Sequence, residues 1–295
     1  MKTSNSLVEV VKARMAAGTP SIPVFHAVAV KLQQVLAQSD YSIEDVHQLI
    51  IADPGLASNV LRVANSAFYA GLSKVETIRE AIIRLGAGEV TNLVMLTTQQ
   101  DLYRSKDARF GSLMQTLWRH ALSCAVGSKW LAQKSGYPAK AQEAFLGGLL
   151  HDIGKLYLLK LMEGVCKEEQ FKAAANLAVL TEVLETLHVE EGLRLMVQWH
   201  MPEVYCRVVA GHDADQWDPG DVILGTVRLA NLTCRKLGVG LRTEADVVLF
   251  ASAEARALGL KEISLAELEI VIEDALKTPV AGNRKKAAYA ALSGK

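Results

Sequence analysis

The sequence lacks a charge excess of either sign, and aromatic residues make up only 6% of it. Lys plus Arg and Asp plus Glu number 32 each, so no net field draws nucleic acid or an anionic membrane to the chain. Half of the 295 residues are hydrophobic, which argues against a globally disordered chain and permits a large buried core. The length fits one large domain or two moderate ones.

Cysteine is scarce, and long apolar runs are missing. The four cysteines are far apart and form no C-x-x-C pair, so we interpret them as small buried residues of a reducing compartment. The polar residues after Lys2 provide no signal-peptide core, and no stretch reaches the roughly 18 uncharged apolar residues that cross a bilayer. We therefore expect a cytoplasmic protein with no membrane or nucleic-acid partner.

Helix start and stop signals recur along the chain, whereas alternating β-branched runs and Asn-Gly hairpin turns are absent from the sequence. This pattern predicts an all-α fold. The signals are the capping-box spacing of Thr77 and Glu80, a similar cap at Ser42, Asp53 before Pro54, Gly86 after Leu85, and Ser264 as a helix start.

Polar breaks suggest how the helices are grouped. The breaks lie at residues 103–109, at 136–138 inside the second unit, and in an exposed loop at 213–221. We predict an N-terminal helical subdomain over residues 1–105, a second helical subdomain over 106–277 and a C-terminal tail over 278–295. The basic run at 284–286 in that tail is either a solvated end or a contact for an acidic partner.

The string GGLLHDIGK at residues 147–155 carries the most chemical information. Adjacent His151 and Asp152 offer an imidazole nitrogen and a carboxylate oxygen to one divalent cation. The glycines on either side allow a second helix to come close and bring further ligands. Because the flanking leucines bury the segment, the Asp152 charge needs a metal, an ionic partner or a hydrogen-bond network.

A metal site needs three or more ligands, so the other histidines are candidates. His120 lies in a helical pattern, and His188, His200 and His212 follow the His-Asp pair. Any one of them is more often a satisfied core or surface histidine than a ligand. Their order around the central pair favours a metal site.

This order resembles the HD superfamily of helical, metal-dependent phosphohydrolases. The strings DPGL at 53–56, ANSAFY at 64–69 and LLHDIGK at 149–155 narrow it further, because together they resemble the HDOD domain, the HD-related output domain of bacterial signalling proteins. The resemblance spans roughly residues 20 to 235. It implies a multi-helical HD-like bundle preceded by an N-terminal helical subdomain, and a regulatory role.

The resemblance also implies a set of site residues. His120 matches the first metal ligand of the family, His151 and Asp152 match the central pair, and His188 and His212 match positions that hold a further metal in two-metal relatives. The implied cofactor is a divalent transition metal: iron, zinc, manganese or nickel.

The chain departs from the family at the last ligand. Relatives have an Asp on a late helix where this chain has Asn231, whose neutral amide is a poorer ligand than a carboxylate. Asp213, next to His212, stands where relatives often have another ligand and is the candidate to compensate. Lys155 is the candidate to orient a phosphate; the alternative is a solvated side chain beyond the helix.

Three functions fit these residues. The first, which we favour, is a non-catalytic regulatory module that relays a signal to a kinase or regulator by protein–protein contact. The second is a metal-dependent phosphohydrolase acting on a nucleotide or cyclic dinucleotide, since His120, His151 and Asp152 are all present. The third is a sensor that binds a metal or nucleotide without turnover.

Overall fold

The computed structural model describes residues 7–16, 25–65, 74–168 and 176–277. Every regular element in these ranges is an α-helix or a short 3₁₀ turn, and none of them is a strand. The predicted all-α class is therefore confirmed. Ser66 to Tyr69 of the ANSAFY string and the predicted tail at 278–295 lie outside the described residues.

Six helices make up the N-terminal part of the chain. Helix α6 packs on α2 and on the following half of the molecule, and α5 packs between α3, α4 and α6. The six helices are α1 Leu7–Ala16, α2 Ala27–Leu36, α3 Ile43–Ile51, α4 Pro54–Ala64, α5 Ile78–Leu85 and α6 Ala87–Leu102.

The C-terminal part is built around a long central helix, α7. Eight of the described helices belong to this part, and two 3₁₀ turns lie at Pro138–Lys140 and Leu249–Ala251. The helices are α7 Ala108–Lys134, α8 Ala141–Leu150, α9 Ile153–Val165, α10 Leu177–Gln198, α11 Glu203–Gly211, α12 Val222–Lys236, α13 Ala253–Ala257 and α14 Glu262–Lys277.

Most of the predicted caps form as expected. The Ser42 hydroxyl accepts from the backbone N–H of Asp45, and the Asp45 carboxylate accepts from the Ser42 N–H, which completes a capping box. The Asp53 carboxylate caps α4. Gly86 ends α5 with a φ of 85°, a left-handed conformation that glycine adopts without steric cost.

Two predicted caps need correction. Thr77 caps α5, but the carboxylate of Glu80 accepts from the N–H of Glu76, one residue before the predicted position. The final helix begins at Glu262, so Ser264 lies inside it as a buried residue rather than at its start. Helix α14 is therefore longer at its N-terminal end than the predicted start allowed.

The core runs through both halves of the molecule. One apolar cluster contains buried side chains from Val11 in α1 to Ala275 in α14. Helix α7 packs against α8, α9, α12 and α14, so it lies at the centre of the C-terminal half. In the described part of the chain no helix is both long enough and apolar enough to cross a membrane.

Candidate metal centre

Three helices and one helix junction bring five of the predicted ligands together. His120 lies in the middle of α7, His188 lies in α10, and His212 follows the last residue of α11. His151 and Asp152 form the short junction between α8 and α9. All five side chains are buried, with 1–6% of each residue exposed.

Two glycines let the ligand-bearing helices approach one another. A Cβ atom built on Gly148 would lie 2.6 Å from the backbone oxygen of Cys124 in α7. A Cβ on Gly154 would lie 1.9 Å from the backbone oxygen of His188 in α10. Any side chain at these positions would push the helices apart. The expectation that the glycines bring further helices to the His-Asp pair is thus met in the structure.

Backbone carbonyls fix the same tautomer in all four histidines. A carbonyl oxygen can only accept a hydrogen bond, so each contacting Nδ1 carries a proton, and Nε2 keeps its lone pair whenever the ring is neutral. A backbone partner on one ring nitrogen is typical of histidines that ligate metals through the other. The Nδ1 contacts are His120 to Val239 at 2.8 Å, His151 to Gly148 at 2.8 Å, His188 to Glu185 at 3.2 Å and His212 to Val209 at 2.9 Å.

The Asp152 carboxylate lies between two pairs of histidines. Its Oδ2 is 3.5 Å from the Nε2 atoms of both His120 and His151, which we call the first triad. Its Oδ1 is 3.6 Å from Nε2 of His188 and 3.3 Å from Nε2 of His212, which we call the second triad. One carboxylate is thus shared by two potential cation sites.

The spacing of these atoms fits metal ligands. Adjacent ligand atoms around an ion with bonds of about 2.1 Å are roughly 3.0–3.4 Å apart. The Nε2 atoms of His120 and His151 are 3.1 Å apart, and those of His188 and His212 are 3.3 Å apart. Two unprotonated nitrogens at that distance repel unless a cation or a proton lies between them. Asp152 Oδ1 also has no hydrogen-bond partner in the described structure, so the residues fit a bound metal.

Asp213 lies next to the second triad, and Asn231 contacts Asp213. The Oδ2 atom of Asp213 is 3.5 Å from Nε2 of His188, whereas its Oδ1 pairs with the Arg235 guanidinium. Asn231 donates from Nδ2 to Asp213 Oδ1 at 3.5 Å. The structure therefore places Asn231 in contact with Asp213, the carboxylate that was expected to compensate for Asn231 as a metal ligand. The predicted ligand roles of both residues stay predictions.

Comparison with known proteins decides the family. The model of the HDOD domain matches residues 22–214. The chain belongs to the HDOD family.

Relatives of this HDOD chain are distant. An uncharacterised protein of Treponema pallidum is 25% identical over 224 residues, which are 73% of this chain and 42% of that protein, so the chain spans less than half of that relative's length. A solved HDOD domain protein of unknown function from Geobacter sulfurreducens is 21% identical, covers 96% of this chain and 97% of its own, and has a TM-score of 0.67. A solved protein of Shewanella amazonensis, provisionally described as a metal-dependent phosphohydrolase, is 18% identical with full coverage of both chains and a TM-score of 0.63. At these identities the solved structures establish the fold alone.

Lys155 of this HDOD chain is neither solvated nor beyond a helix, which corrects the alternative considered for it. It lies in the first turn of α9 and only 6% of it is exposed. Its ammonium is 3.0 Å from Asp152 Oδ2 and 3.3 Å from Glu185 Oε1. Burial lowers the pKa of Lys155, but the two carboxylates outweigh it and raise the pKa. The residue is therefore a charged internal partner, and its phosphate-binding role stays a prediction.

The protonation states at the HDOD centre suit cation binding. Burial raises the pKa of Asp152, but the Lys155 ammonium opposes this and the pKa is held well below its usual range. Burial lowers the pKa of His151 to about 3, so the ring is neutral near pH 7. Burial lowers the pKa of His120, but Cys124 and Asp152 outweigh it and raise the pKa to about 9. A cation held by the carboxylate and by neutral imidazoles would therefore displace the second proton of His120.

Sequence reasoning missed three groups around the HDOD centre. Glu185 and Arg235 hold Lys155 and Asp213 in place. Glu185 lies three residues before His188 and Arg235 four residues after Asn231, so one-turn helical spacing is the signal that could have found them. Cys124 and Cys234 are fully buried free thiols, as predicted, but the Cys124 Sγ lies 3.7 Å from His120 Nε2 and 3.6 Å from the Cys234 Sγ. One helical turn separates His120 from Cys124, which is the sequence signal that could have placed this thiol beside the site.

Proposed function

We propose that this HDOD chain is a metal-binding regulatory module of the bacterial cytoplasm, which relays a signal to a kinase or regulator by protein–protein contact rather than by catalysis. The observation that carries the proposal is the closed form of the metal centre. Four histidine Nε2 atoms and Asp152 converge in the interior, where 1–6% of each of these residues is exposed. Structural metal sites are closed in this way, whereas catalytic sites keep a position open for water and substrate.

The charges around the centre support a transition metal rather than calcium or magnesium. Asp152 and Asp213 carry negative charge at the site, and each is already paired with a cation, the buried Lys155 or the half-buried Arg235. The remaining ligands are imidazoles, which suit zinc, iron, manganese or nickel, whereas the hard cations need several oxygen ligands.

Elemental analysis of protein purified without an affinity tag or chelator tests the proposal. We expect one to two equivalents of a transition metal and a melting temperature that falls when the metal is removed. A metal-free preparation that gains no stability from added zinc, iron, manganese or nickel would contradict the metal-binding part. The regulatory part predicts that partner capture from a lysate differs between metal-loaded and metal-depleted protein.

A metal-dependent phosphohydrolase is the second candidate, because one carboxylate shared by two triads resembles a site for two cations. In that case His120, His151, His188 and His212 would hold the cations, whose chemistry is to lower the pKa of bound water. Metal-loaded protein would then hydrolyse a phosphate ester, tested on nucleotides, cyclic dinucleotides and p-nitrophenyl phosphate. Turnover that disappears in Asp152→Asn would contradict the regulatory proposal, and no turnover with a fully loaded centre would support it.

A further inference from the structure

A second candidate site lies away from the metal centre, in a pocket between the two halves of the chain. Its volume is about 320 Å³, the lower end of the range of small-molecule sites. Its walls come from α2, the turn after α2, α6, α8 and α11. The polar lining residues are Gln33, Tyr41, Asn92, Gln142, Glu143 and Tyr205.

A chain of polar contacts fixes how Asn92 is oriented in this pocket. Glu89 pairs with Lys129 at 3.0 Å and accepts a hydrogen bond from Gln142 Nε2 at 2.6 Å. Because a carboxylate can only accept, Gln142 must turn its Oε1 towards Asn92, whose Nδ2 donates to it at 2.9 Å. A second bond from the same Nδ2 to the Gln142 backbone oxygen confirms the orientation. Asn92 Oδ1 is therefore left as an acceptor without a partner among the described residues.

Gln33 supplies a hydrogen-bond donor that complements the acceptor of Asn92. Only 3% of this residue is exposed, its Oε1 is 3.5 Å from the Tyr205 hydroxyl, and its Nε2 has no hydrogen-bond partner in the described structure. Burial raises the pKa of Tyr205, so its hydroxyl stays protonated. A buried amide N–H₂ without an acceptor is costly unless a ligand or water satisfies it.

The lining also limits the charge of a ligand. Among the described lining residues Glu143 is the charged one, and none of them is Lys, Arg or His. A phosphate group would meet a carboxylate and no cation there. Tyr41, with 41% of its surface exposed, offers an aromatic face on which a flat ring can stack.

We propose that this pocket binds a small uncharged heterocycle with a hydrogen-bond donor next to an acceptor, as in an unphosphorylated nucleobase or nucleoside. Asn92 Oδ1 accepts from the donor of such an edge and Gln33 Nε2 donates to its acceptor, which is how amide side chains recognise base edges. The small volume suits one base or nucleoside and excludes a dinucleotide.

Two helices connect this pocket with the metal centre. Helix α8 begins at Ala141 beside the pocket and ends next to His151, and α11 begins at Glu203 beside the pocket and ends next to His212. A ligand that shifts either helix would therefore move a candidate metal ligand. The role of the pocket as the input site of the module rests on the proposed function. Binding of a ligand in the pocket does not depend on that function.

Isothermal titration of the full chain with the common nucleobases and nucleosides, and with their 5′-monophosphates, tests the proposal. We expect at least one base or nucleoside to bind, and its monophosphate to bind at least tenfold more weakly. Gln33→Leu removes the free amide donor together with the acceptor of the Tyr205 hydroxyl, so its fold is checked by thermal unfolding, and the folded variant should weaken binding at least tenfold. Gln38→Leu, an exposed position outside the lining, is the matched control and should bind as the parent does.

Three results would overturn the proposal: no binding of any base or nucleoside at millimolar concentration, equal affinity for the monophosphate, or unchanged affinity in a folded Gln33→Leu protein. The titration is run on metal-loaded and metal-depleted protein, with the metal content measured separately. Binding of a base or nucleoside by protein that takes up no transition metal when it is supplied would support the pocket while contradicting the metal centre, so the two failures can be told apart.

Discussion

Replacing Gly154 by alanine is expected to open the metal centre. The new Cβ would lie 1.9 Å from the His188 backbone oxygen, whereas real Cβ atoms essentially never come within 3.0 Å, so α9 and α10 must separate by about 1.1 Å, the difference between the two distances. Ligand positions around a metal tolerate about 0.2 Å. The movement therefore carries Asp152, at the start of α9, out of range of His188, and the second triad should no longer hold the ion that we propose for it. Overpacking of backbone against backbone also costs about 3 kcal/mol, the upper end of the usual range.

The same helix provides the control. Gly164 lies in the last turn of α9, and a Cβ built on it meets no atom within 4 Å. Gly164→Ala should therefore retain the metal and stabilise the protein by up to about 1 kcal/mol through helix propensity. Elemental analysis and urea unfolding of both variants, alongside the parent, measure the two effects.

Two results would contradict the expected role of Gly154. If Gly154→Ala binds the same number of metal equivalents as the parent and unfolds at the same urea concentration, the close approach of α9 and α10 does not position the centre. Loss of metal in both alanine variants would show instead that any substitution of glycine in α9 disturbs the centre.

Three further predictions concern single side chains. His212→Gln should lower the metal content by about one equivalent while His47→Gln, on the outer helix α3, leaves it unchanged, and equal contents in elemental analysis would contradict the second triad. Lys155→Met leaves two carboxylates without their buried cation and should destabilise the metal-free protein by about 3 kcal/mol in urea unfolding; an unchanged midpoint would mean that the ion pairs are already broken. Asn65→Ala removes bonds to the backbone N–H and oxygen of Val75, at 2.8 and 2.7 Å, and should cost about 2 kcal/mol, whereas a loss below about 0.5 kcal/mol in the same assay would show that water replaces them.

Local signals in the sequence were sufficient for the secondary structure. Ser42, Asp53 and Gly86 each act within three or four residues of their own position, so their roles as caps follow from covalent geometry and nearest-neighbour hydrogen bonds. The start of α14 was predicted at Ser264, two residues too late, because that prediction also used a local cap signal alone. Serine is a strong N-cap in isolation, but Ser264 lies buried within a helix that starts at Glu262.

The residues of the metal centre were named from the order of histidines in the chain, but their arrangement was not. The sequence could not show that Asp152 faces both pairs of histidines, because the pairs come from α7, α10 and α11, which meet only in the folded protein. Lys155 shows why local sequence signals do not predict the surroundings of a side chain in the folded protein. A lysine after a glycine is usually solvated, and only the approach of α10 brings Glu185 close enough to keep it buried and charged.

The sequence by itself determined the helical class, most helix ends, the family resemblance and the set of candidate ligands, because these depend on periodicity, caps and short motifs. Tertiary structure decided what distant residues do together. It closed the centre to solvent, turned the four Nε2 atoms inward through backbone carbonyls, and left Gln33 Nε2 and Asn92 Oδ1 without partners among the described residues of one pocket. These features depend on how closely helices pack, which is set by contacts between residues far apart in the chain.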